Sequence, residues 1–466
     1  MIEFILNDRI VKTEAKSGMT LLQFIREIEG LKGTKSGCKE GDCGACTVLS
    51  GILQYDDTVK YSSITSCLTP LANVDKRHIV TVEGLNLTDE LNVSQYAIKE
   101  HYGTQCGFCT PGFVVSLTGY SLDTKVDAKA INHLSGNICR CTGYKSIEKA
   151  ANTVEELVKD KSIQGDINKL IEQRFIPEYF KGIPEKLKSL KSNWSEKGDQ
   201  LVAGGTDLYV RFANELAEVN IKRHIDSVNT KINLENDILT IGAAATGTDI
   251  MENNQFNKHF PYLQDHLKLI SSRQIRNMGT IAGNFVNASP IGDMSIFFLA
   301  LGSKLTIIDE RNNEREIWLK DFFKDYKSFD LKKGEIIKNI SFRLPNAQSK
   351  FNFEKVSKRT HLDIASVNSA MLIDVEKDEI KNINISIGGV AAIPKYLFNT
   401  KKYLLNKKIS KENIINAQDI MQSEISPISD IRGTEKYKRL LARQLFYAHF
   451  IKIFPDRFSL KDLIEN

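Results

Sequence analysis

All eight cysteines of this 466-residue chain lie between Cys38 and Cys141. Cysteine used only as a small hydrophobe would be scattered more evenly, so the first third of the chain calls for sulfur chemistry. The thiols form two quartets. Cys38, Cys43 and Cys46 stand in GTKSGCKEGDCGACTV, with Cys67 farther on. Cys-x4-Cys-x2-Cys with a remote fourth cysteine is the plant-type [2Fe–2S] spacing. Gly37, Gly41 and Gly44 permit a tight loop that aims sulfurs at two irons while its amide N–H groups point the same way. Structural zinc is the competing reading, but zinc favours paired Cys-x2-Cys knuckles. The second quartet is Cys106 and Cys109 in QCGFCTPG with Cys139 and Cys141 in GNICRCTGY. Thiols one residue apart cannot close an unstrained disulfide, and this set alone stays open between zinc and a cluster.

Ordered elements must hold these sulfurs. Phe4 and Leu6 alternate ahead of an Asn7-Asp8 turn, and Ile10-Val11 resume as a second strand. Leu21, Leu22, Ile25 and Ile28 form a helical stripe, whereas the stretch from Gly33 to Gly44 is too glycine-rich for regular structure. Residues 86–160 read as helical, with Ser94 capping one helix and another starting after Pro111. A last one carries Ile147, Ala150, Ala151, Val154, Leu157 and Val158 on one face, with Ser146 as its cap. Cys109 and Cys141 each precede a predicted helix start, where the dipole favours thiolate. A polar linker follows over 161–172. Beyond it strands such as Lys304–Ile308 and Ile383–Ile387 alternate with helices such as Lys436–Phe450, and a break falls near Pro345–Ser349.

Two glycine-bearing stretches lie in this later part. LVAGGTDL, residues 201–208, follows an apolar strand, and its backbone N–H groups can cradle a diphosphate; a plain strand-to-helix turn is the alternative. RQIRNMGTIAGNFVNASPIGD, residues 273–293, is punctuated by Gly279, Gly283, Asn284 and Asp293. Asp293 is equally good turn chemistry in Pro-Ile-Gly-Asp. No G-x-G-x-x-G occurs, so a Rossmann fold is not supported.

GCKEGDCGACTV, QCGFCTPGF and CRCTGY together resemble the iron–sulfur portion of the molybdenum hydroxylases, the xanthine dehydrogenase and aldehyde oxidase family. AGGTDL with GTIAGNFVNASPIGD resembles the FAD domain of that family and of carbon monoxide dehydrogenase flavoproteins. KVSKRTHLDIASVNSA and ISIGGVAAIPK resemble the domain that closes over the flavin. Lys145-Ser146 departs from a proline in many relatives without touching a ligand. The resemblance implies a multidomain α+β protein: a plant-ferredoxin-like β-grasp domain (1–85), a four-helix [2Fe–2S] domain (86–160), a two-subdomain α/β FAD-binding domain (173–346) and a C-terminal α+β domain (347–466). It implies that both quartets hold [2Fe–2S] clusters. It further implies that Leu201, Val202, Ala203, Gly204, Gly205, Thr206, Asp207 and Leu208 hold the FAD diphosphate, and that Thr280, Gly283, Asn284 and Asp293 reach the rest. Ile270, Phe398 and Lys408 align near flavin-adjacent positions. Of these, Phe398 also reads as a core ring and Lys408 as a solvated lysine. Gln105 aligns with a glutamine that faces molybdopterin on a partner domain.

The combination has a chemical logic. A [2Fe–2S] centre carries one electron and flavin converts single electrons into a hydride, so the parts connect a two-electron oxidation elsewhere to a hydride acceptor. The chain holds no paired carboxylates or Ser–His arrangement for oxidising a substrate, and no region is left for molybdopterin. The substrate half-reaction is therefore expected on a molybdopterin-binding large subunit, in a heterotetramer of two small and two large chains. The resemblance implies the electron-transfer and NAD-reducing subunit of a xanthine dehydrogenase, with hypoxanthine or xanthine hydroxylated on the partner. The alternatives are the same module of an aldehyde or N-heterocycle dehydrogenase, or a stand-alone iron–sulfur flavoprotein carrier. Composition fits: a net charge of +5 on 63 cationic and 58 anionic residues, without a basic aromatic stripe, excludes a nucleic-acid binder. No run of about 18 apolar residues marks a membrane span. MIEFILNDRIV lacks the core of a signal peptide, so a cytoplasmic protein is expected.

Overall fold

Ile2, Phe4 and Leu6 alternate in β1 (Ile2–Leu6), and an Asn7-Asp8 turn with Asn7 at φ 57 leads into β2 (Arg9–Thr13), antiparallel to it. This computed structural model describes residues 1–125, 129–192, 198, 200–225, 230–346 and 348–464. Ala347, where the last domain is expected to begin, lies outside the described residues, as does Asn466 where it ends. With β3 (Thr47–Leu53), β4 (Val59–Thr65) and β5 (His78–Val80) the first strands form a sheet of order β2-β1-β5-β3-β4, in which β1 and β5 are parallel. A helical turn at Leu21–Gln23 widens into a π-helix at Phe24–Ile28 and buries Leu21, Leu22, Phe24 and Ile25. The extra residue per turn rotates Ile28 out of the expected stripe, and it is 52% exposed. Residues 33–44 hold neither helix nor strand.

The helices Val93–Glu100, Thr110–Leu122, Ala130–His133 and Lys145–Asp160 follow. Two caps differ from expectation. Asn92, not Ser94, caps the first, because Asn92 and Gln95 close a reciprocal capping box. Tyr144, in a left-handed conformation at φ 69, precedes the last, and Ser146 lies inside it as a helical residue. The expected linker 161–172 contains a helix, Ile167–Glu172, that buries Leu170.

The chain divides into two compact units, residues 1–224 with 272–279 and residues 225–271 with 280–466. Residues from 173 onward therefore contribute to both. In the first unit β6 (Gln200–Val202) pairs in parallel with β7 (Ile221–Arg223), the helix Leu208–Ala217 making the crossover. The second unit contains β8 (Ile232–Glu235), β9 (Ile238–Gly242), β10 (Lys304–Ile308), β11 (Glu314–Trp318), the hairpin β12 (Phe323–Asp325) and β13 (Ser328–Phe329), and β14 (Ile336–Arg343). Its first sheet has the order β11-β10-β14-β9-β8. A second, antiparallel sheet runs β15 (Ser349–Val356), β16 (Val367–Glu376), β17 (Glu379–Gly388) and β18 (Lys395–Tyr396). The helix Asp293–Ala300 is buried all round and packs on β16 and β17, as expected for a helix without a polar face.

The helix Glu435–Ile453 covers β15 and β16 and buries His449. Ser369 Oγ donates to Ser386 O (2.9 Å), so at 3.0 Å it accepts from His449 Nε2–H. His449 Nδ1 is left to accept from Asn352 Nδ2 at 2.9 Å. A second proton would point at that donor. Burial pushes this imidazole from its ordinary 6.5 down to about 4; Glu354 pulls it up, while His266 and Lys452 push it down. Below pH 6.5 the unfolded chain binds a proton that the folded chain refuses, so stability is full above pH 6.5 and is lost as pH falls toward 4. The shift corresponds to about 3 kcal/mol. Denaturant unfolding of the second unit at pH 7 and pH 4 should show an acid loss about that much larger in the native chain than in His449→Gln. Equal losses would contradict the assignment.

Candidate functional site

The first quartet sits where the glycine loop runs into β3. Cys46 and Cys67 are buried, and Cys38 and Cys43 are partly exposed. Backbone amides converge on the sulfurs: Glu40 N and Cys43 N reach Cys38 Sγ at 3.3 and 3.4 Å, and Cys38 N reaches Cys43 Sγ at 3.4 Å. The thiols meet in pairs, Cys38 with Cys43 and Cys46 with Cys67. The Cys43 thiol, helped by the amides, holds Cys38 down at about 5. Cys67 lowers Cys46 in the same way. Gly44 has φ +66, and a Cβ there would stand 2.2 Å from Gly136 O, so only glycine lets the loop lie this close to the second quartet's chain.

The second quartet repeats the scheme. Cys106 and Cys141 are exposed with their sulfurs 3.5 Å apart, while Cys109 pairs with the buried Cys139. Cys109 is the N-cap of Thr110–Leu122, at a helix start as expected, but burial and the neighbouring Cys139 thiol push its own thiol up to about 12 rather than toward thiolate. Thr142 supplies its N–H and Oγ1 to Cys139 Sγ at 3.5 and 3.2 Å, and Cys139 N–H donates to Tyr144 Oη at 3.1 Å. Gln105 is exposed beside Cys106.

Among the described residues no three or more His, Cys, Asp or Glu side chains gather as a site for one metal ion. Pairs are the ligand sets of a two-iron cluster, in which each iron takes two thiolates and the inorganic sulfides lie between. The donor chemistry, with amides aimed at sulfur, fits [2Fe–2S] better than zinc in both quartets.

In the first unit, the 201–208 loop runs from buried Val202 to Asp207, the N-cap of the next helix. Ala203 O accepts from Asn73 Nδ2 at 2.8 Å. A Cβ on Gly204 would stand 2.0 Å from Met278 O, and Gly205 has φ +80. Leu201, Thr206, Asp207 and Leu208 are partly exposed. The bend of backbone amides, ahead of a helix that kinks at Phe212 after its first turn, suits a diphosphate.

In the second unit, Thr280 caps Ile281–Asn287, its Oγ1 accepting from Gly283 N at 3.2 Å. Gly283 is exposed. Asn284 Oδ1 accepts from Ser295 N and Oγ at 3.1 and 3.0 Å. The Asp293 carboxylate is held on both sides, by Lys355 Nζ at 2.8 Å and Asn368 Nδ2 at 2.6 Å. Lys355, whose side chain is 1% exposed, also donates to Leu269 O at 2.9 Å and so joins Asp293 to the strand of chain beside Ile270. Ile270 is a buried core residue. Phe398 is exposed; it packs against Tyr396, with Lys320 Nζ 5.6 Å from its ring. Lys408 is exposed, bridging Glu379, and its carbonyl accepts from Asn413 Nδ2 at 2.9 Å.

Lys355, Asn368, Thr142 and Asn137 were not singled out by sequence. Thr142 and Asn137 flank ligands within one motif, so proximity alone could flag them. The partnership of Lys355 with Asp293 spans 62 residues and leaves no local signal.

Four family profiles match the chain: a 2Fe-2S iron-sulfur cluster binding domain over 4–72, a [2Fe-2S] binding domain over 81–152, an FAD binding domain in molybdopterin dehydrogenase over 181–346 and a CO dehydrogenase flavoprotein C-terminal domain over 353–453. Xanthine dehydrogenases of Oryza sativa subsp. japonica and Emericella nidulans are each 30% identical over 96% of this chain. The chain spans 39% and 38% of their lengths. CO dehydrogenase from Oligotropha carboxidovorans superposes with a TM-score of 0.51 at 22% identity, covering 56% of this chain and 92% of that one. Quinoline 2-oxidoreductase from Pseudomonas putida 86 gives 0.50 at 22% identity, covering 56% and 90%. These structural likenesses show the fold of the part of the chain that they cover. With the four domains in this order and relatives aligned along nearly its whole length, the chain belongs to the molybdenum hydroxylase family, of which it is the iron–sulfur and FAD-binding part.

Proposed function

We propose that this chain is the electron-transfer subunit of a xanthine dehydrogenase, accepting electrons from a molybdopterin-binding partner and delivering them to NAD+. The observation that carries the reading is the pairwise convergence of eight thiols in two quartets, on a chain aligned over 96% of its length with xanthine dehydrogenases. When bound, two [2Fe–2S] clusters supply one-electron exchange and FAD supplies hydride exchange. The chain's residues orient and shield these groups. Cys46, Cys67 and Cys139 lie inside the fold, away from water. Cys106 and Cys141, with Gln105, form an exposed edge that suits contact with the partner's molybdopterin. The amides of 201–208 would hold the FAD diphosphate. Thr280, Gly283, Asn284 and Asp293, with Lys355 fixing Asp293, would meet other parts of the cofactor.

The assembly is read as two copies of each chain, in the cytoplasm, where eight unbridged cysteines stay reduced. Among the described residues no helix is long and apolar enough to cross a membrane.

The native complex, isolated anaerobically, should reduce NAD+ with xanthine. Cys106→Ser and Cys38→Ser should each lower iron from about four to about two per chain and abolish turnover, with FAD retained. Activity with aldehydes or N-heterocycles alone would move the substrate assignment within the family. NADH-driven dye reduction by a chain that never co-purifies with a molybdopterin protein would favour the stand-alone carrier.

Lys355→Met removes the cation from a half-buried Asp293 carboxylate that keeps its Asn368 hydrogen bond, which costs about 1–3 kcal/mol. Denaturant titration should show that loss in the second unit, with flavin released before iron. Lys355→Met combined with Asp293→Asn should recover most of it. A single variant as stable as the native chain would contradict the pairing.

A further inference from the structure

Within the first unit, the turn that carries Cys141 folds back on Cys139 through a closed ring of hydrogen bonds. Cys139 N–H donates to Tyr144 Oη at 3.1 Å, and Tyr144 N–H donates to Thr142 Oγ1 at 3.3 Å. Thr142 Oγ1 stands 3.2 Å from Cys139 Sγ, and Thr142 N stands 3.5 Å from the same sulfur. A hydroxyl has one proton to donate and two lone pairs that accept. A thiolate that ligates metal has no proton of its own, so the Thr142 hydroxyl donates to it. The Tyr144 amide takes a lone pair of Oγ1 and leaves the hydroxyl proton for Cys139 Sγ.

The backbone is strained to close this ring. Gly143 and Tyr144 are both left-handed, at φ 65 and φ 69, a conformation that is costly for a tyrosine. Such a residue persists where its surroundings fix it from several sides. Tyr144 is fixed by its hydroxyl on Cys139 N–H, by its amide on Thr142 and by its place directly before the helix Lys145–Asp160. Cys139 is 6% exposed, so water competes little for its sulfur. On Cys38 and Cys43 of the first quartet the sulfurs accept from backbone amides, whereas on Cys139 a side-chain hydroxyl joins the amide.

We propose that the Thr142 hydroxyl sets the reduction potential of the centre on the second quartet, and that Tyr144 is the positioning residue that aims it. This rests on the proposed function, since it requires a cluster bound there. Cys139 Sγ carries more negative charge once that centre has gained one electron, which the molybdopterin-binding partner supplies. A proton aimed at the sulfur favours the electron-rich state and so raises the potential. No proton is transferred and no covalent bond changes. With the hydroxyl in place, an electron shared between the two quartets is drawn toward the second; without it, toward the first. Thr142→Val removes the hydroxyl and keeps nearly the same volume. Thr142→Ser keeps the hydroxyl and removes the methyl group.

The full chain, purified anaerobically, would be reduced stepwise with dithionite and redox mediators, each cluster being followed by low-temperature EPR. All variants should keep about four irons per chain. Thr142→Val should shift electron sharing about tenfold toward the first cluster, a fall of about 59 mV in the second cluster's one-electron potential. Tyr144→Phe, which loses the acceptor for Cys139 N–H, should shift it about threefold in the same direction. Thr142→Ser should match the native chain, and the first cluster's potential should stay unchanged throughout. A native potential in Thr142→Val would overturn the proposal. Equal shifts in Thr142→Val and Thr142→Ser would mark a packing role and overturn it too. A native potential in Tyr144→Phe would remove the positioning role of Tyr144. If Thr142→Val lost iron, Thr142→Ala would decide, and a native potential there would overturn the proposal. A native chain lacking the second cluster would instead defeat the functional reading itself.

Discussion

Everything in the first unit follows from bringing eight thiols together two by two. Thiolates repel one another, and a loop that gathers them needs amides pointing inward and a backbone free of Cβ groups at its closest approaches. Glu40 N and Cys43 N on Cys38 Sγ, and Thr142 on Cys139, meet the first need. Gly44 against Gly136 meets the second. The β-grasp sheet and the helical layer act as scaffolds that fix where each loop leaves and rejoins. Cys46 stands at the entrance to β3, and Cys109 at the first turn of a buried helix.

The second unit is organised around a different constraint, a buried charge. Asp293 begins a helix that is apolar all round, and its carboxylate is neutralised by Lys355 from β15 and hydrogen-bonded by Asn368 from β16. A carboxylate at a helix start is favoured by the dipole, and the ammonium completes its solvation. One contact set therefore fixes the helix, two strands and the chain beside Ile270. The same group is the one proposed to meet the cofactor.

What could be read from sequence was local. The cysteine spacings, the Asn7-Asp8 turn and the face of Lys145–Asp160 are set within a few residues and reappear in the structure. Misplaced caps had local causes too. Asn92-x-x-Gln95 is a reciprocal capping pair that outcompetes Ser94, and the left-handed Tyr144 has no sequence signal because side chains rarely adopt that conformation. Ile28 left its stripe through a π turn, which periodicity cannot foresee. The contacts that join Gln274 to Asn137 and Lys355 to Asp293 cross many residues and depend on how whole elements pack. Ile270 reads as flavin-adjacent by alignment, and its place in the structure is the hydrophobic core.

The account stands on two binuclear iron sites in one chain. Iron-edge X-ray absorption of the anaerobically purified protein measures this directly. The account predicts that the irons, about four per chain, each have about four sulfur neighbours and one iron neighbour at a single short distance. Iron without an iron neighbour, or zinc in either quartet, would contradict it.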